Sequence, residues 1–589
     1  MIDDLSPGLL YLKPCFALNR STGNNSSSAG SSLLAGTRAD RGTVVKRFIL
    51  ASVLVASVLA LLAIFFTAKT VSATTYYVAS NGSDSNDGTT KTTPWLHAPG
   101  MPGCSGICAS TTPNAGDSFT LRGGDTWPSS SFPWIWKWSG SSGNPIEVGG
   151  LDQTWFTGAS WTRPILSGGG SFPNSGSAQK FFLTLSHVSY VTVSWIEFTG
   201  FFIGSNATAW VGYLDRGSSG TNITLHDNYF HGWAHAAGIS EGSPGGNVIA
   251  ILCHTGAADP TTSIYRNAID GGDTKKDDFT GIYSTGGCGD IYQNYIAWII
   301  DAVNEGFIVS FHDNVLANDG GLCFSGCNTH NNVMEENSGP KSADSFFYNN
   351  YILNPASTNN AGGIVLQLAP HSGQTSWFFN NVITNGPLYE ANEVMCADAL
   401  NGGGGTCTIF NNTMEAGADS SPPGGRPIRA GSWNGSISPA AINLYNNHTI
   451  SSASPMYATS DCTSGCKVTQ SPNPNLIQSK ATAKTQGYTL NQTFSFSPTS
   501  AKGATVGTGT NETSLCARIS GLNAAAGEAC QRDTTYGVIY DIPSHTVTGL
   551  ARTPGLRPST GSWDAGAFQW SAQSAAKLNP PANVKSVAK

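Results

Sequence analysis

The chain has 589 residues, of which 11% are charged and 69 are glycine, and its formal net charge is −7. Glycine beside abundant Asn, Ser and Thr makes poor helices and suits short strands separated by turns. The acidic balance lacks the basic footprint that nucleic acid demands, so a nucleic-acid partner is excluded.

Residues 1–47 are rich in Ser, Gly and Asn, have no apolar period, and read as a disordered cytoplasmic tail. Residues 48–68, FILASVLVASVLALLAIFFTA, carry no charge and are long enough to span a bilayer. Arg38, Arg41, Lys46 and Arg47 precede this run, which orients the N-terminus to the cytoplasm and the C-terminal bulk of the chain to the outside. Two readings stay open: a retained transmembrane anchor, or the hydrophobic region of a signal peptide cleaved after Val71-Ser72-Ala73. Either way the remainder is secreted or displayed at the cell surface.

Cysteine usage agrees with export. Cys15 lies in the tail and twelve cysteines come after the apolar run, an even number suited to an oxidising compartment. The expected disulfides join neighbours: Cys104/Cys108, Cys253/Cys288, Cys323/Cys327, Cys396/Cys407, Cys462/Cys466 and Cys516/Cys530. No pair has the second pair and histidines that a zinc site needs. In PWIWKW, Trp134, Trp136 and Trp138 alternate onto one strand face, with burial against the first coil favoured over an exposed sugar platform.

From residue 223 onward a segment recurs in which alternating apolar residues run into an asparagine. It reads ITLHDNYF, SIYRNAI, IYQNYI, VSFHDNVL, NTHNNVM, FFYNNYI, WFFNNVI, TIFNNTM and NLYNNHTI. The marked residues are Asn228, Asn267, Asn294, Asn314, Asn332, Asn350, Asn381, Asn412 and Asn447, with Ile196 in the same slot of an earlier coil. A constant core with variable inserts is the mark of a solenoid. Asn is expected to adopt the left-handed conformation at the bend and to bond its amide from coil to coil.

Four further stretches carry a resemblance. TTYYVASNGSDSNDGTTKTTPW (74–95) resembles the first segment of bacterial right-handed parallel β-helix proteins of the pectate-lyase-like superfamily. AGDSFTLRGGDTW (115–127) is similar to their first coils, and SPTSAKGA (497–504) and RPSTGSWDAGAFQW (557–570) to their closing segment. The resemblance implies an all-β solenoid over 74–570 with terminal caps, and then a disordered tail at 571–589. It also implies a polysaccharide partner held in a groove along one sheet.

The resemblance does not fix a reaction, since fold and function separate. The loop with Asp273, Asp277 and Asp278 offers hard oxygen ligands for calcium, which lyases of this superfamily use against a uronate carboxylate. NNVMEENSGPKS (331–342) loosely resembles the alginate and chondroitin lyase family. On that pattern Glu335 and Glu336 bind metal and Lys341 is the catalytic base, although the segment is shorter and a later Arg-His-Gly is missing. Asp301, Glu305, Asp319, Glu335 and Glu336 are candidate carboxylate pairs for hydrolysis. His226, His231 and His235 are a candidate metal cluster, but His226 fills a strand slot that His312 fills again, which points to a structural role. The leading expectation is a monomeric lyase cleaving an acidic polysaccharide by β-elimination. A non-catalytic carbohydrate-binding or structural solenoid and a glycoside hydrolase remain as alternatives.

Overall fold

The computed structural model describes residues 72–571 apart from 173–179, 204–209, 218, 236–247, 254–258, 260, 273–279, 285–287, 300, 305–307, 320–332, 337–341, 355–365, 385–393, 398–403, 416–426, 432–439, 452–455, 462–465 and 471–473. The apolar run at 48–68 lies outside these residues. Among the described residues no helix is long and apolar enough to cross a membrane.

The chain winds into coils, each visiting three sheets in turn. One coil runs Val191–Ser194 in sheet I, Glu197–Ile203 in sheet II and Val211–Asp215 in sheet III. Successive coils stack so that sheets I and II reach 13 strands each and sheet III reaches 11 among the described residues. Every pairing along the three stacks is parallel, from Thr75–Val78 on Ser118–Leu121 to His448–Ile450 on Leu476–Gln478. Twisted strands joined by such crossovers take the right-handed path. The protein is a right-handed parallel β-helix.

The asparagines build the corner between sheets I and II, but not through the backbone conformation expected of them. The left-handed residue is the one before each marked Asn: Asp227, Arg266, Gln293, Asp313, Asn349, Asn380, Asn411 and Asn446 all have φ between 51° and 60°. That residue turns the chain, which frees the next side chain to point inward. There Asn228, Asn267, Asn294, Asn314, Asn350, Asn381, Asn412 and Asn447 are buried and bonded in series. From Asn267 onward, Oδ1 accepts from the backbone amide of the Asn one coil earlier, as in Asn267 N to Asn294 Oδ1 at 3.0 Å. Nδ2 donates to the next Oδ1 and to a strand carbonyl, as Asn294 does to Asn314 Oδ1 at 3.0 Å and Ile264 O at 2.9 Å. A bend interrupts the strand-to-strand pairing, and the ladder supplies the partners that buried backbone groups require.

Two members of the series differ from expectation. Asn314 bonds directly to Asn350, while Asn332 of NTHNNVM lies outside the described residues and the Met334–Glu335 pair after it is a strand of sheet III. Asn475, in a segment without the aromatic lead-in, is an extra rung below Asn447. Ile196 does hold the Asn slot, its amide donating to Asn228 Oδ1 at 3.1 Å.

The outside of sheet I carries a pile of flat rings, with His226, Tyr265, Tyr292, His312, Tyr348, Phe379 and Phe410 stacked at centroid spacings of 4.5 to 5.1 Å. His226 and His312 therefore do share one structural slot. His312 Nδ1 bonds Asp313 at 2.5 Å and Nε2 bonds Asp290 at 3.1 Å. Burial alone would depress this imidazole, but the two carboxylates outweigh it and push its pKa up to about 9. Because the folded value lies above the ordinary one near 6.5, the stabilisation is complete below about pH 6.5 and is lost as pH rises through about 9. His312→Phe keeps the stack and removes the charge. It is expected to cost about 3 kcal/mol at acid to neutral pH. The difference from the parent should shrink above about pH 9 in denaturant melts monitored across pH.

The segment after the last coil does more than close the end of the stack. Sheet II turns apolar residues such as Tyr229, Ala268, Val315, Tyr351 and Val382 outward. The chain folds back over them with Phe494, Tyr536, Val538, Tyr540 and Phe568. Helices Thr513–Leu522 and Ala524–Cys530, tied by the Cys516–Cys530 disulfide, cover Phe379 and Phe410 of sheet I. At the far end of the fold-back, buried Arg163 donates to Asp227 O and Ser544 O, both at 2.9 Å. The expected pairs Cys104–Cys108, Cys253–Cys288, Cys396–Cys407 and Cys516–Cys530 are formed. Such bonds fit an oxidising, extracytoplasmic setting. Cys323, Cys327 and Cys462 lie outside the described residues. Trp134 and Trp136 are buried beneath the first coil and Trp138 packs against them.

Candidate functional site

The fold-back covers sheet II and the two helices cover the Phe379–Phe410 end of sheet I, while the outer face of sheet III carries residues of another kind. Its strands carry an irregularity that repeats from coil to coil. Pairs of consecutive residues face the core: Phe182 and Leu183, Tyr213 and Leu214, Ala250 and Ile251, Ala302 and Val303. The residues flanking each pair consequently both face outward. Phe181, Ile249, Leu252 and Tyr283 form an outer apolar patch of their own, with Trp210 packed against it.

Strand register extends one outer row along the whole sheet. Thr184, Asp215, Leu252 and Tyr283 align with Asn304, then Glu335, Gln367, Met395 and Arg429. A second row places Asp301 beside Thr280. Beyond Thr184 and Asp215 the row passes through the apolar Leu252 and Tyr283 and then through the polar Asn304, Glu335 and Gln367, with Asp301 beside them. These polar groups are recessed: Asp301 is 8% exposed, Glu335 3% and Gln367 1%. Polar side chains sunk into a sheet face are unfavourable for folding alone and so mark a candidate site.

Asn304 links the two acids. Its Nδ2 donates to Asp301 Oδ2 at 2.9 Å, while its backbone sits opposite Glu335. Three residues along one strand and one step across separate the Asp301 and Glu335 Cα atoms by about 11 Å. Arg429 lies three strand steps from Glu335, or about 14 Å.

The candidate residues named from the sequence fall in different places. Glu335 is on the recessed outer row. Glu336 is not beside it, because successive strand residues face opposite sides. It points into the solenoid, where one oxygen accepts from Ala369 N at 2.9 Å and Ser376 Oγ at 3.1 Å and the other has no hydrogen-bond partner among the described residues. Burial pushes its pKa up to about 7, against the pull of those bonds. Asp319 is buried at the corner between sheets II and III, accepts from Ile299 N at 3.1 Å, and is held well above the usual carboxylate range by burial and by Asp270 nearby. Neither Glu336 nor Asp319 shares a face with Asp301 and Glu335. Lys341, Glu305, Asp273, Asp277 and Asp278 lie outside the described residues.

His231 bonds Glu197 at 3.1 Å and stacks on Tyr229, whereas His226 bonds Asp227 at 2.6 Å and stacks on Tyr265. These histidines serve separate sheets. Among the described residues no group of three or more His, Cys, Asp or Glu is gathered for a metal. The described side chains alone therefore do not make a calcium site.

Asn304, Gln367, Tyr283 and Arg429 were not legible as site residues. Insert lengths vary between the asparagine corner and sheet III, so no fixed offset marks the outer row. The one usable sign was Met334-Glu335-Glu336, an apolar residue next to two acids outside the asparagine register.

No family model matches the chain, and no curated protein matches it. Among solved structures it is similar to the GH136 lacto-N-biosidase of Eubacterium ramulus, at 14% identity over 69% of this chain and 68% of that one, with a TM-score of 0.39. It is also similar to a rhamnogalacturonan lyase, at 14% identity over 69% and 87% of the two chains with a TM-score of 0.33. Pectate lyase Pel9A is 13% identical over 85% and 97%, with a TM-score of 0.32.

Proposed function

We propose that this is an exported polysaccharide-active protein whose ligand lies along the outer face of sheet III, and that it cleaves an acidic polysaccharide there by β-elimination. The observation that supports this most is the recessed polar stretch Asp301, Asn304, Glu335 and Gln367, set beside the rings of Tyr283 and Trp210. An apolar patch next to a few convergent polar groups is the usual make-up of a ligand site.

Elimination needs a base for the proton beside the uronate carboxyl. Lys341 is proposed for that role, because it lies six residues after Glu335 and a lysine of lowered pKa serves as a base. Glu335 and Asn304 would orient the sugar hydroxyls, and Arg429 would anchor the carboxylate of a neighbouring sugar. Calcium, expected at Asp273, Asp277 and Asp278, would neutralise the uronate carboxylate when bound. The protein is proposed to act as a monomer outside the cell, tethered through residues 48–68 where that run is retained.

Asp301 and Glu335 on one face favour a second reading, hydrolysis, whose two carboxyls stand roughly 5–10 Å apart. The readings separate on pectate, alginate and chondroitin, each with and without calcium. New ultraviolet absorbance from an unsaturated sugar is the lyase outcome. New reducing ends without that absorbance are the hydrolase outcome. Binding in a pull-down without either product would leave a non-catalytic module.

A further inference from the structure

A cavity of about 440 Å³ opens in the C-terminal fold-back, on the sheet II side of the rod and away from the face of sheet III. Its walls come from two stretches distant in sequence, one carrying Asn491, Thr493 and Phe494 and the other Phe568, Gln569 and Trp570. The size suits a small organic ligand. Among the described lining residues the one charged side chain is Arg552, whose guanidinium lies over the rings of Phe494 and Phe568 at 5.9 and 5.8 Å. Buried Asp533 takes two of its nitrogens, Nη1 at 2.6 Å and Nη2 at 2.5 Å, so the two charges offset each other.

The remaining lining combines rings with uncharged polar groups. Trp570 is fixed through its backbone, which donates to Asp564 at 2.5 Å, while its half-buried indole is left facing the space. Gln569 spends its oxygen on Asp564 N at 3.1 Å and keeps its amide hydrogens. Among the described residues the side chains of Asn491 and Thr493 make no hydrogen bond. Among the described residues a phosphate or uronate would find no unpaired cation here. A wholly apolar ligand would strand the amides and hydroxyl. A pyranose fits both demands, since its C–H face packs on an indole and its hydroxyls answer amides and hydroxyls.

We propose that this cavity binds a neutral sugar residue, making it a second glycan contact independent of the chemistry on sheet III. The test is saturation-transfer NMR on the full chain with glucose, galactose, N-acetylglucosamine and glucuronate. At least one neutral sugar should give saturable transfer, weakened about tenfold or more by Trp570→Ala. Exposed Asn491→Ala, which leaves the packing untouched, should weaken the same sugar, and Glu335→Gln should not. Three results would each overturn the proposal: no saturable transfer from any neutral sugar, full binding by both cavity variants, or glucuronate binding more tightly than all three.

Discussion

Asn350→Ala is expected to destabilise the rod by about 3–6 kcal/mol, far more than an ordinary polar truncation. Asn350 Oδ1 accepts from Asn314 N at 3.0 Å and Asn314 Nδ2 at 3.1 Å. Its Nδ2 donates to Phe311 O at 3.0 Å and Asn381 Oδ1 at 2.9 Å. Truncation leaves two donors of Asn314 without partners and takes one bond from Phe311 O, in a corner that is 2% exposed or less, where each stranded group costs about 1–3 kcal/mol. Asn443→Ala is the control, because that half-buried amide makes one bond, to Thr408 Oγ1 at 3.2 Å, and should cost under about 1 kcal/mol. Solenoids need not unfold in one step. Hydrogen exchange resolved along the chain is therefore the proper measurement, with lost protection centred on the coils of Asn314, Asn350 and Asn381. Equal costs for Asn350→Ala and Asn443→Ala would show that the ladder does not hold the coils together.

The second large effect concerns activity. Lys341→Ala is expected to lower kcat of polysaccharide cleavage by about 10²–10⁴-fold, the range a positioned base supplies. Glu335→Gln should lower kcat/KM by at least about 100-fold while leaving the melting temperature near that of the parent, because the site is recessed rather than part of the core. The two variants also separate the reaction classes. In a lyase Lys341 dominates and Asp301→Asn is mild. In a hydrolase Asp301→Asn and Glu335→Gln are equally severe and Lys341→Ala is mild.

The rod itself was legible because its signal is local. Each strand, left-handed residue and inward Asn fall within about six consecutive positions, so the pattern survives inserts of any length. The finer geometry was readable only in part. Which of two adjacent residues takes the left-handed conformation was misassigned, since Asn349-Asn350 and Asn380-Asn381 offer two suitable candidates. Arg266 and Gln293 occupy the turning position elsewhere, which shows that the second residue, not the first, is the constant one. Asn475 was a corner without the motif. The neighbour disulfides that the structure describes were legible for the same reason of locality.

The candidate site was far less legible. Asp301 and Glu335 were named among several acids, but only the register of Asn304 on Glu335 brings them to one face. Strand alternation sends Glu336 inside, a separation that two adjacent letters cannot reveal. The fold-back was invisible in the sequence because its contacts join residues hundreds of positions apart, such as Arg163 and Ser544. Nothing local marks Tyr229 or Tyr351 as residues that a distant hairpin will cover.

A structure of the Glu335→Gln variant with an oligosaccharide of whichever polymer the parent cleaves or binds tests the central claim most directly. The sugar chain should lie on the outer face of sheet III, with a ring against Tyr283 or Trp210 and its other end reaching toward Arg429. A chain bound along sheet I or over the fold-back, with the row from Asn304 to Gln367 untouched, would contradict the assignment of this face.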